Sequence, residues 1–99
     1  MPASTRLGDV GSGHDCHFSS SPSIEASPDV NIDGIAAVRQ GDAYESHGCS
    51  SCPKPAHPRS LEGGSGSVFI NGKPAGRVGD AISCGGAADA GSSTVFIGD

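Results

Sequence analysis

The chain has no tryptophan, three phenylalanines, one tyrosine, one methionine and only two leucines, Leu7 and Leu61. With six Ile and six Val as the remaining large aliphatics, 99 residues suffice for one small domain with a thin core. A body of this size buries about 60–65% of its unfolded surface and usually needs a staple or a partner. Positive charge is also short: six Lys and Arg stand against eleven Asp and Glu, for a net charge of −5. That balance argues against nucleic acid or an anionic membrane surface as a partner. No apolar run approaches the ~18 residues needed to cross a bilayer, and the N-terminus lacks a signal peptide's apolar segment. A cytoplasmic protein is expected, and export would need a dedicated machine. No window carries a 3.6-residue period, so helix is expected to be nearly absent.

What is abundant is glycine, 16 residues, with seven prolines. That is close to the composition of a disordered chain, so the case for order rests on periodicity. A periodic pattern exists. Residues 27–42, "SPDVNIDGIAAVRQGD", align with residues 65–80, "SGSVFINGKPAGRVGD", at a constant offset. Val30 falls over Val68, Ile32 over Ile70, Gly34 over Gly72, Arg39 over Arg77 and Asp42 over Asp80. A third copy is split between the ends: residues 93–99, "STVFIGD", give its first strand and residues 6–9, "RLGD", its second half. A repeat cut at the termini is the mark of a closed ring, because the last strand must pair with the first.

Each unit reads as a hairpin. Val-Asn-Ile and Val-Phe-Ile are short strands, with Val68 and Ile70 expected on one face and Phe69 on the other. Asp33-Gly34 and Asn71-Gly72 are type I′ turn signals, since both central positions require positive φ. The Gly-Asp after each second strand predicts another tight turn, its Asp bonding backbone N–H groups. An adhesion-type Arg-Gly-Asp is excluded by the intervening Leu7, Gln40 and Val78. The spacers between units, residues 10–26, 43–64 and 81–91, are unequal, Gly/Ser/Pro-rich loops, the expected seat of function.

His14 follows Asp9 by five residues, His47 follows Asp42 by five, and Cys84 follows Asp80 by four. Under pseudo-threefold symmetry these equivalent positions face one axis. A fourth donor would complete a tetrahedron, and spacing alone leaves His57, His17, Cys16 and Cys49 as candidates. Imidazole and thiolate donors suit Zn²⁺, and four protein ligands make a closed, structural site. Such a site would offset the thin core, since zinc binding in small peptides contributes on the order of 10–16 kcal/mol to folding. Cys49-Ser-Ser-Cys52 lacks a second C-x-x-C and any βαβ pattern, so it signals neither a four-Cys site nor a thioredoxin-like centre. Buried thiols, or a disulfide from Cys16 to Cys49 or Cys52, remain open.

The segments "GSVFINGKPAGRVGDAISCGG" and "GSSTVFIG" resemble the repeats of PAAR-repeat proteins, named for a Pro-Ala-Ala-Arg segment. Here that segment reads Pro74-Ala75-Gly76-Arg77, and the middle copy, Ile35 to Arg39, lacks the proline. With "GHDC" early, "RQGDAYESHGC" in the middle and a His before Ser-Leu, the resemblance covers essentially the whole chain as a single domain, 1–99. It is nearest to the short members on contractile phage tails and type VI secretion spikes. It implies an all-β cone of three pseudo-threefold hairpin repeats, with one structural Zn²⁺ held by His14, His47, His57 and Cys84. It further implies a non-enzymatic, membrane-piercing tip seated on a homotrimeric β-helical spike, one copy per trimer, touching membrane only transiently.

Val30, Ile32, Val68, Ile70, Val95 and Ile97 are candidates for the interior or for that docking face. Phe69 and Phe96 have a polar counterpart in Asn31, so the three sectors are not chemically identical. Two other functions compete. A His₃-zinc hydrolase would need a base, and the nearest carboxylates are Asp15 and Glu45; the chain is also small for a substrate pocket. An adaptor would carry an effector, which is expected to be a separate chain because this one stops within its last repeat.

Overall fold

The computed structural model describes residues 2–12, 20–47, 57–83 and 85–98, and among them there is no helix. Eight short strands form antiparallel pairs: β1 (Val10–Gly11) with β2 (Ser21–Pro22), β3 (Asn31–Ile32) with β4 (Ile35–Ala36), β5 (Ala43–His47) with β6 (His57–Ser60), and β7 (Phe69–Ile70) with β8 (Lys73–Pro74). The turns are those the sequence demands. Asp33 and Gly34 have φ of 56° and 80°, Asn71 and Gly72 of 54° and 78°, the left-handed values of type I′ turns.

The third hairpin is made by the two ends of the chain. Ala3 pairs with Phe96, the same register as Asn31 with Ala36 and Phe69 with Pro74. Ser4 N–H donates to the Val95 carbonyl (3.0 Å) and Ile97 N–H to that of Pro2 (2.8 Å). The three hairpins then join in a circle: Arg6 bridges Ala37, Arg39 bridges Ala75, and Arg77 bridges Ser4. At the centre, Thr5 N–H donates to the Gly76 carbonyl (3.2 Å), Gly76 N–H to Val38 (2.9 Å), and Val38 N–H back to Thr5 (3.0 Å). A closed cycle of this kind satisfies backbone groups that would otherwise form exposed strand edges.

The spacers are more ordered at their feet than composition suggests. Val10 pairs with Pro22, Ala43 with Ser60 and Ala81 with Ala87, three equivalent positions. Each repeat therefore stacks a second, upper hairpin on the first. The body measures 39 × 23 × 23 Å, one long axis and two equal short ones.

Two interdigitated motifs fasten the repeats. In each Arg-x-Gly-Asp turn the Asp accepts the Arg backbone N–H at 2.8 Å and pairs with its guanidinium. Gly8, Gly41 and Gly79 supply the positive φ between them (89°, 91° and 96°). The same three arginines donate from Nη1 to the hairpin turn of the neighbouring repeat: Arg6 to Asp33, Arg39 to Asn71, Arg77 to the Gly98 carbonyl. Ser27, Ser65 and Ser92 each cap two following backbone N–H groups and donate to those same acceptors. Each hairpin turn is thus held by the serine and the arginine of another copy.

The core lies in two clusters. One contains Ala37, Ile70, Ala75 and Ile97, with Val30 and Ile32 against it. The other contains Val38, Tyr44, Leu61, Ile82 and Ala88, with Ala26 against it. In the second, equivalent positions carry unequal side chains: Val38 with Thr5 and Gly76, Tyr44 with Ile82 and Gly11, Leu61 with Ser23 and Ala88. A Cβ on Gly11 would stand 2.3 Å from Ile82 Cδ1, and one on Gly76 would stand 2.6 Å from Leu61 Cδ2. Three large side chains do not fit where three strands converge, and the chain fills each level with one or two.

Candidate functional site

The upper hairpins lead toward the expected metal ligands. Gly11, Tyr44 and Ile82 occupy equivalent positions, bridged to Ala88, Ser23 and Leu61 respectively. From that level the chain reaches His14 three residues after Gly11, His47 three after Tyr44, and Cys84 two after Ile82. The bulge between Tyr44 and His47 supplies the middle copy with an added residue. His47 and His57 are brought together by register: they stand directly opposite each other at the far end of β5 and β6. Spacing leaves His57 without a repeat counterpart, and the register sets it beside another candidate ligand.

His14 and Cys84 lie outside the described residues, as do Asp15, Cys16, His17, Cys49 and Cys52. Among the described residues there is no group of three or more potential metal donors. The donor set nevertheless fits a closed zinc shell in its chemistry, three imidazoles and one thiolate. Beside Cys84, Gly85 and Gly86 adopt φ of 118° and 79°. Both values favour glycine, which explains why that short turn is glycine-rich.

The docking candidates divide. Ile70 and Ile97 are buried in the core, Val30, Ile32 and Val95 are half-buried, and Val68 is exposed. The expected shared face of Val68 and Ile70 therefore holds only in part. β7 contains just Phe69 and Ile70, and Val68 precedes it, in the serine turn, where Ser65 accepts its N–H. Phe69, Phe96 and Ile35 are also exposed, so the hairpin end of the body presents apolar surface in unequal sectors.

A residue the sequence gave no reason to single out is Arg59. Among the described residues it is the largest fully buried side chain, on β6 opposite Tyr44, with its guanidinium 5.8 Å from the Tyr44 ring centroid. Its equivalents are Ser21 and Gly86, so one long side chain fills that level where the other two positions are small. The Tyr44 hydroxyl is buried, and burial pushes its pKa up.

A family model, the PAAR motif, matches residues 13–89 and 54–99. The chain belongs to the PAAR-motif family. No curated protein matches its sequence. The PAAR motif is associated with the spike tips of type VI and contractile machinery, and its family is one of structural tip proteins. Within it, the closed ring, the two tiers of hairpins and the opposed His47 and His57 are this chain's form of the PAAR fold.

Proposed function

We propose that this PAAR protein is a zinc-stabilised, non-enzymatic tip that caps a homotrimeric β-helical spike and leads it through a cell envelope. The observation that carries the reading is the hydrogen-bond cycle Thr5–Gly76–Val38, which makes one chain present three sectors of the same backbone plan. A trimeric β-helix ends in a threefold surface with unpaired strand edges, and only a threefold cap can match all of them at once. The exposed apolar residues at the hairpin end, Val68, Phe69, Phe96 and Ile35, with half-buried Val30, Ile32 and Val95, form the docking face. Ile70 and Ile97 support it from inside.

At the other end His14, His47, His57 and Cys84 hold one Zn²⁺, which ties together three segments with little core of their own. Zinc supplies cross-linking, and no open coordination position is needed. The protein acts at the apex of a phage tail or secretion spike, moving with it across the target envelope and touching membrane only in passage. A separate effector chain is a natural cargo of such a spike.

The metal is checked by native mass spectrometry before and after chelation, where one zinc per chain is expected. X-ray absorption should report three nitrogens and one sulfur; a nitrogen/oxygen shell with exchangeable water would favour a hydrolytic site instead. Cys84→Ser should weaken zinc binding and lower the melting temperature, because a neutral hydroxyl replaces a thiolate. His17→Ala should leave both unchanged, and equal effects from the two would show that His17 is the fourth ligand.

A further inference from the structure

Arg59 has a role that packing does not exhaust. It is 2% exposed, and among the described residues no carboxylate lies within ion-pair distance of it. A buried cation without an anion is costly unless its N–H groups are satisfied by other acceptors. Nη1 donates to Ser21 Oγ (2.8 Å) and the Gly11 carbonyl (3.4 Å); Nη2 donates to the Gly85 carbonyl (3.3 Å) and that of Ser12. Among the described residues Nε has no partner. These acceptors sit on two segments, the one that carries His14 and the one that carries Cys84, while Arg59 itself lies on the β5–β6 hairpin with His47 and His57. Ser12 precedes His14 by two residues, Gly85 follows Cys84, Arg59 itself follows His57 by two, and it pairs with Tyr44, three before His47.

We propose that Arg59 is a positioning residue for the metal: its guanidinium ties the segments bearing His14 and Cys84 to the β5–β6 hairpin that bears His47 and His57 before zinc arrives. The proposal rests on the zinc reading for its ligands. A planar fork with several fixed donors can hold carbonyls from separate chains at once, whereas an ammonium is a point charge on a flexible stem. Holding ligands in place lowers the ordering cost that binding must otherwise meet, which is how outer contacts raise metal affinity.

The test is zinc affinity of the full-length chain, measured by competition with a chelator, for wild type, Arg59→Lys and Leu61→Ala. Leu61→Ala loosens the core without removing a bond to the tip segments. Arg59→Lys should bind zinc about 10–100-fold more weakly, while Leu61→Ala loses melting temperature but keeps wild-type affinity. Wild-type affinity in Arg59→Lys, or an equal loss in Leu61→Ala, overturns the proposal. A second readout needs no metal. In chelator-treated protein, Arg59→Lys should speed amide exchange at Ser12, Ile82 and Gly85 by about tenfold or more, with Thr5, Val38 and Gly76 still protected. Should wild type bind no zinc, the zinc reading fails, and exchange alone decides whether Arg59 organises these segments. Unchanged exchange at all six amides then overturns that role as well.

Discussion

Gly11 is the residue on which the upper core turns. Its equivalents are Tyr44 and Ile82, and its missing side chain is the space they occupy. Gly11→Ala should destabilise by about 1–3 kcal/mol, the usual cost of overpacking. Thermal unfolding of Gly11→Ala, Ile82→Ala and the double variant checks this. The double variant should be more stable than the sum of the singles predicts, because the two positions share one volume. Strict additivity would mean the three strands do not converge as described. None of this was legible in the sequence, where Gly11 reads as one more spacer glycine. Arg59 was hidden for the same reason, since its acceptors at residues 11, 12, 21 and 85 lie tens of residues away.

At the scale of the element, the Arg-x-Gly-Asp turns differ in burial. The side chains of Arg39 and Asp42 are 9% and 0% exposed, those of Arg6 and Asp9 18% and 15%. Arg39→Ala leaves the Asp42 carboxylate buried without its cation and should cost about 3–5 kcal/mol. Arg6→Ala should cost less, and equal losses in urea unfolding would contradict the ranking. The serine latches make the hairpin turns sensitive to acid. Asp33 accepts from Ser92 and Thr94, and Asp29 from Asn71; these bonds hold both carboxyls below the usual carboxylate range. Stability from a lowered carboxyl is present above the unfolded value and lost as the folded group takes up its proton. The loss should begin below about pH 5 and continue past the ordinary Asp value. Metal-free Asp33→Asn, which places at 33 the residue found at 71, should show a shallower fall of melting temperature with acid; an unchanged slope would contradict the latch. The turns themselves were plain in the sequence, because Asp-Gly, Asn-Gly and Gly-Asp have local meaning. Their cross-repeat partners were not, because Ser27 to Asn71 and Ser92 to Asp33 span 44 and 59 residues.

The whole molecule shows why one chain with three unlike repeats suits a point. Identical repeats would bring three copies of each side chain to the centre, and the converging strands have no room for them. Here Val38, Leu61, Tyr44 and Arg59 each fill a level whose other positions are smaller. Divergence among the copies is therefore what packing requires, while the backbone keeps its cyclic bonds. The constant offset between residues 27–42 and 65–80, and the copy split across the termini, were enough to infer the ring. The structural repeat runs further, taking in Ser92, residues 2–5 and the feet of the upper hairpins. Residues 2–5 and the feet of the upper hairpins escaped notice because their side chains differ from copy to copy and only the backbone pairing is shared, whereas Ser92 repeats Ser27 and Ser65 and extends the third copy by one residue. The same separation shows in the candidate ligands: the repeat aligns His14, His47 and Cys84, while His57 has no repeat counterpart and is linked to His47 only by strand pairing.

The central claim is that one chain with three sectors closes a threefold partner. Native mass spectrometry of this protein mixed with a trimeric β-helical spike tests it most directly. One copy per spike trimer, unchanged in excess of the cap, is the predicted result; three copies per trimer would contradict the account.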